Sequence, residues 1–144
     1  MNPYRANQFC CKLKKLHDSL LNQLPSFIAF VFNKSGVHWA PCIVSMEEHV
    51  IRQGDSLGWG GDQDLLAKLR WFLWDVAEVQ GEWTEVPLVV PHQGSGSGSC
   101  GVVALSVIES FLAEVPSWTK ELALAIHMGW LGDFLHHHFC LEVS

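Results

Sequence analysis

Two apolar runs joined by a short polar turn constrain this chain most. Phe27–Phe32 reads FIAFVF, Val37–Ser45 reads VHWAPCIVS, and Asn33-Lys34-Ser35-Gly36 lies between them. Runs of strand length that are apolar at successive positions, not alternate ones, are strands covered on both faces. A turn this short sets them side by side. A third strand, His49–Asp55 (HVIRQGD), follows the turn Met46-Glu47-Glu48.

The flanking sequence reads as the covering layers. Phe9, Leu13, Leu16, Leu20, Leu21 and Leu24 recur at helical spacing, which predicts an amphipathic helix over Phe9–Leu24 closed by Pro25; residues 1–8 read as a loose terminus. Asp62–Val76 is a second helix with Asp62 as its cap. Its buried stripe is Leu65, Leu66, Leu69, Phe72, Leu73 and Val76, widened by Trp71 and Trp74. Gly81 interrupts the chain, and Trp83–Val90 is a fourth strand whose Pro87 marks an edge or a bulge. A helix from Cys100 to about Glu114 stops at Val115-Pro116. A last helix, capped by Ser117 or Thr119, carries Leu122, Leu124, Ala125, Met128, Leu131, Phe134 and Leu135. The order α-β-β-β-α-β-α-α predicts an α+β fold, a mainly antiparallel sheet flanked by helices, in a single domain over residues 1–144.

Composition narrows the function. With 49% hydrophobic residues, 17% charged residues and a net charge of −6, the chain has core enough for one domain but no basic surface for nucleic acid. The acidic balance suits a partner with a basic face. Five cysteines, an odd number without a framework or a CxxC pair, read as reduced thiols in an intracellular chain, nuclear or cytoplasmic. No signal peptide is evident, and Phe27–Phe32, the longest apolar run, is far too short for a bilayer. Neighbouring histidines in His136-His137-His138 point about 100° apart on a helix, so they and Cys140 are not expected to share a metal ion.

The chemistry gathers around PHQGSGSGSCGVVAL, from Pro91 to Leu105. A Gly/Ser loop carries Cys100, and an apolar helix follows at once. Loop, thiol and helix N-terminus form the setting of reactive cysteines, because unpaired backbone N–H groups face the sulfur. Gly98 and Gly101 leave room for a carbonyl carbon to approach. His38 on the second strand is the candidate base and Asp55 at the end of the third the candidate orienter. A hairpin centred between Met46 and Glu47 sets His38 opposite Asp55, Ala40 opposite Gln53, Cys42 opposite Ile51 and Val44 opposite His49, on one face. A one-residue slip would turn Asp55 to the other face. Gln93 is the candidate oxyanion donor, with the Cys100 backbone N–H.

His38-Trp39 on a strand, then Gly54-Asp55-Ser56-Leu57, then Gln93 and Cys100-Gly101 before an apolar helix, resembles the ubiquitin-like (SUMO-specific) cysteine protease family. The resemblance covers roughly Phe27–Phe111. It implies a papain-like core, a His-Asp-Cys triad made of His38, Asp55 and Cys100, and an oxyanion hole assisted by Gln93. It further implies cleavage after the C-terminal glycine of a ubiquitin-like modifier, no cofactor, and Trp39 as the roof of a channel that admits glycine. Trp59, in the glycine-rich loop after Asp55, is the tryptophan expected to be exposed beside a substrate. Three departures stand out: one extra residue separates Gln93 from Cys100, Ser99 stands where the family often has Asp, and the segment before the first strand is short. The expected function is a thiol peptidase or isopeptidase acting on a ubiquitin-like modifier or a modified protein. The rival is a degenerate module that binds such a partner without cutting it, and the same residues would also serve acyl transfer.

Overall fold

The computed structural model describes Asp18 and residues 22–76, 78–94 and 98–140, without the side chains of residues 75, 76, 134, 135 and 137–140. The helix expected over Phe9–Leu24 lies almost wholly outside the described residues. Among the described residues four strands, β1 (Phe27–Lys34), β2 (His38–Ser45), β3 (Val50–Gln53) and β4 (Thr84–Pro87), form one sheet in the order β1-β2-β3-β4. Among the described residues after β1 the helices are α1 (Gln63–Trp71), which runs on into a π-helical turn at Phe72–Val76, then α2 (Cys100–Ala113) and α3 (Ala123–Cys140).

β1 and β2 pair antiparallel through eight residues, from Phe27 with Ser45 to Lys34 with His38. Asn33 and Lys34, expected in the turn, are thus the end of the strand. The reversal is Ser35-Gly36-Val37, with Ser35 and Gly36 both left-handed at φ 56° and 79°. Glycine suits that conformation because a Cβ would crowd the following carbonyl.

β2 and β3 are antiparallel as expected, but two residues out of the expected register. Val44 pairs with Ile51 and Cys42 with Gln53. The cause is a four-residue loop, Met46–His49, closed by His49 at φ 54° and by Met46 N–H donating to Ser26 O at 2.9 Å. The shift is even, so His38 and Asp55 stay on one face. Asp55 lies beyond the end of β3 and reaches diagonally toward His38, not directly across.

The sheet is mixed. β4 runs parallel to β3, joined to it through α1, and forms an outer strand of the sheet. Pro87 closes that edge strand, where its missing N–H costs no ladder bond.

Both faces of β2 are covered. Cys42 and Val44, with Ile51 of β3, pack on Leu66 of α1 and on Leu73, flanked by Phe30, Phe32, Leu69 and Trp83. Each such aliphatic residue stabilises the fold by about 1.5–3 kcal/mol when fully buried. Asp62 caps α1, its Oδ1 accepting from Leu65 N–H at 2.9 Å. Trp74, expected on the buried stripe, is half exposed because the π-helical turn rotates it off that face. α2 packs against β2 and β1, with Phe111 edge-on to Phe27 at 5.6 Å and Arg52 over the Phe111 ring. A second cluster joins Val103 and Val107 of α2 to Trp118, Leu88, Val90 and Ile126. Thr119 Oγ1 accepts from Leu122 N–H ahead of α3.

Candidate active site

The site is built where β2 begins, β3 ends and α2 starts. His38 opens β2 and is 1% exposed. The chain leaves β3 at Gln53 and turns through Gly54, which brings Asp55 to the same end of the sheet. Gly54 has no substitute there: a Cβ would stand 2.1 Å from Val90 Cγ2 and 2.6 Å from the Leu88 carbonyl oxygen. Its absence lets the Leu88–Val90 segment lie against the Asp55 loop.

His38 Nε2 and Asp55 Oδ1 are 3.0 Å apart, with both side chains almost fully buried. The carboxylate takes two further hydrogen bonds, from Leu57 N–H to Oδ1 at 2.8 Å and from Lys34 Nζ to Oδ2 at 3.1 Å. Burial pushes the Asp55 carboxyl up. The Leu57 N–H, the Lys34 ammonium and the nearby His38 outweigh burial and hold it below its ordinary 3.8. An ionised carboxylate only accepts, so the His38 nitrogen facing it carries hydrogen and Nδ1 is the bare one when the ring is neutral. Among the described residues nothing hydrogen-bonds His38 Nδ1.

Cys100 is the first residue of α2 and is partly exposed, its helix begun by Val103 N–H donating to Ser99 O at 2.9 Å. That leaves the first N–H groups of the helix open beside the thiol. Gly101 adjoins Trp39, since a Cβ there would meet the indole Cδ1 at 3.9 Å, so the residue after Cys100 faces the residue after His38. No hydrogen bond joins the Cys100 thiol to His38 among the described residues. Cys42 is the other described thiol. It is fully buried, and burial pushes it up to about 12, which makes it an inert core residue.

Gln93 is tied to the Asp55 loop through its backbone, its N–H donating to Ser56 O at 3.2 Å. Its Oε1 is buried without a hydrogen-bond partner among the described residues. Ser95, Gly96 and Ser97, between Gln93 and Cys100, lie outside the described residues. Trp39 and Trp59 are 43% and 53% exposed, and Trp59 sits with its ring centroid 5.1 Å from that of His38. The side chains of His137, His138 and Cys140 are likewise outside the described residues, and no described helix is long and apolar enough to cross a membrane.

The sequence reading missed Lys34 and the Leu57 and Ser56 backbone. Lys34 had a signal: it is a cation at the end of an apolar strand, and its ladder partner is His38.

Neither a protein-family model nor a curated protein sequence matches the chain. Solved structures do. The SUMO protease Ulp1, with its catalytic cysteine oxidized to a sulfonic acid, superposes with a TM-score of 0.61 at 18% identity, over 81% of this chain and 58% of that one. The form oxidized to a sulfinic acid gives a TM-score of 0.62 at 20% identity, over 77% and 54%. The C-terminal Ulp1 protease domain in complex with Smt3, the yeast ortholog of SUMO, gives 0.59 at 18%, over 79% and 58%. The fold is that of Ulp1. This chain spans 58% or less of the length of each of these Ulp1 chains. At such identities the likeness fixes the α+β architecture and leaves the roles of individual side chains to chemistry.

Proposed function

We propose that the chain is a cysteine peptidase of the SUMO-protease kind that cleaves after a C-terminal glycine of a ubiquitin-like modifier. The observation that carries this is the buried 3.0 Å contact between His38 and Asp55 beside a helix that begins at Cys100. It is supported by the Ulp1 fold and by Ulp1 having been captured with Smt3.

In this reading Asp55 fixes the tautomer of His38 and stabilises its cationic form. His38 Nδ1 takes the Cys100 proton, and the thiolate attacks the glycine carbonyl carbon. Negative charge develops on the carbonyl oxygen, where the Cys100 backbone N–H and Gln93 Nε2 receive it. The proton on His38 passes to the leaving amine. Water, deprotonated by the same ring, then releases the modifier from the thioester. In this reading Trp39, beside Gly101, and Trp59, beside His38, flank the approach and favour glycine over larger residues. No step calls for a metal or an organic cofactor.

A non-cleaving module that binds a ubiquitin-like protein is the second reading. The missing Cys100–His38 hydrogen bond favours it. A SUMO-family modifier carrying a fluorogenic amide at its C-terminal glycine separates the two. The peptidase reading expects turnover in the parent and none in Cys100→Ala. Binding that is equal in parent and Cys100→Ala, with no turnover in either, establishes the second reading instead.

A further inference from the structure

We propose that Lys34 is a positioning residue: its ammonium locks the Asp55 carboxylate toward His38 and, through Gly60, holds the Trp59 loop over the same ring. This rests on the peptidase reading above. Lys34 is the last residue of β1 and the ladder partner of His38. From there Nζ donates both to Asp55 Oδ2 at 3.1 Å and to the Gly60 carbonyl oxygen at 2.6 Å.

The two carboxylate oxygens are thereby divided. Oδ1 receives Leu57 N–H and His38, whereas Oδ2 receives Lys34. With only the Oδ1 contacts the carboxylate is anchored at one oxygen and can tilt about it. A cation fixed on Oδ2 removes that freedom and keeps the acid ionised, as an orienter of histidine must be. The pair is no ordinary surface bridge, because the Lys34 and Asp55 side chains are only 12% and 3% exposed.

The second bond holds the middle of a loop whose ends are tied by Gly58 N–H to Asp55 O and by Gln53 to Asp62. The loop after Leu57 passes through Gly58 and Gly60 at φ 73° and 80°, and a Cβ on either would meet nothing within 4 Å. On one side it borders a cavity of about 470 Å³ lined also by Asp55, Gln53 and Leu66. Trp59 rides on this loop, half exposed, its ring against His38. A tie at Gly60, next to Trp59, adds to the contacts that place this ring. Lys34 touches neither the thiol nor the approach to it, so it acts through Asp55 and the loop.

Amide hydrogen exchange with Lys34→Met, Lys34→Gln and Lys34→Arg tests the proposal without requiring turnover. Leu57 N–H reports the carboxylate directly, and Gly58 N–H, which donates to Asp55 O at 3.2 Å, reports the loop. Both are expected to exchange about tenfold faster in Lys34→Met, the effect of losing one charge-assisted bond. Val44 and Ile51 in the core ladder stay protected, and Lys34→Arg restores protection. Lys34→Gln, uncharged and shorter, serves if Lys34→Met fails to fold, and must loosen the same two amides. Unchanged protection at Leu57 and Gly58 in a folded variant, or loss spread evenly over Val44 and Ile51, overturns the proposal. In turnover of the fluorogenic modifier, Lys34→Met lowers kcat, and it costs less in an Asp55→Asn background, where only the Gly60 tie is left to lose, than in the parent; fully additive losses overturn it. If the exchange result holds and the parent shows no turnover, the peptidase reading fails and the positioning role stands.

Discussion

Replacing Asp55 by asparagine removes one charge and leaves the shape. The parent carboxylate takes three hydrogen bonds, from Leu57 N–H, His38 Nε2 and Lys34 Nζ, at 2.8, 3.0 and 3.1 Å. Asparagine offers one accepting end. If its oxygen stays on Leu57 and His38, its NH2 faces the Lys34 ammonium, donor against donor. If it flips, the NH2 faces the Leu57 N–H instead. The first arrangement costs less, because Lys34 keeps the Gly60 carbonyl and is partly wet. The loss is then one charge-assisted bond, its ammonium left to Gly60 and water, about 2–3 kcal/mol at neutral pH. The sign with pH follows from the direction of the Asp55 shift. Its folded-state pKa lies below the ordinary 3.8, so its stabilisation is complete above that value and disappears as pH falls through the lower, folded one. Urea denaturation of parent and Asp55→Asn should therefore differ by about 2–3 kcal/mol at neutral pH and converge as pH falls below the ordinary 3.8. A difference under about 0.5 kcal/mol, or one that does not change with pH, would refute an ionised, triply bonded Asp55.

Two further predictions concern the scaffold. Gly54→Ala drives a methyl group into Val90 and the Leu88 carbonyl, so the urea midpoint should fall by the equivalent of about 1–3 kcal/mol with an unchanged slope; an unchanged midpoint would contradict the close approach. Under native conditions at mildly alkaline pH, iodoacetamide followed by peptide mapping should modify Cys100 and spare Cys42, whose thiol is buried and held near 12; labelling of Cys42 at the rate of Cys100 would contradict the packing of β2.

Much of this architecture follows from patterns that are local in sequence. The apolar runs at Phe27–Phe32 and Val37–Ser45 have nowhere to go but a covered sheet, and Asp62 and the leucine spacing after it define α1. The cysteine at the head of α2 was visible because glycine and serine end where the apolar run begins. What escaped detection depended on backbone geometry that residue types specify weakly. The β2–β3 loop takes four residues because His49 adopts a left-handed conformation, which is unfavourable without tertiary support. The resulting shift was even, and only for that reason did His38 and Asp55 remain on one face. The parallel pairing of β4 depends on how α1 crosses the sheet, which no periodicity encodes. Lys34 looked like turn polarity, because its meaning depends on a carboxylate 21 residues away.

The central claim is that Cys100 is a nucleophile served by His38. A SUMO-family modifier ending in a vinyl sulfone in place of its terminal glycine carboxylate tests it most directly, read by intact mass and peptide mapping. The account predicts one modifier adduct, on Cys100, that is lost in His38→Ala and in the urea-unfolded chain. An adduct on another cysteine, or one on Cys100 that survives both His38→Ala and unfolding, would contradict it, as would no adduct at all on the folded parent.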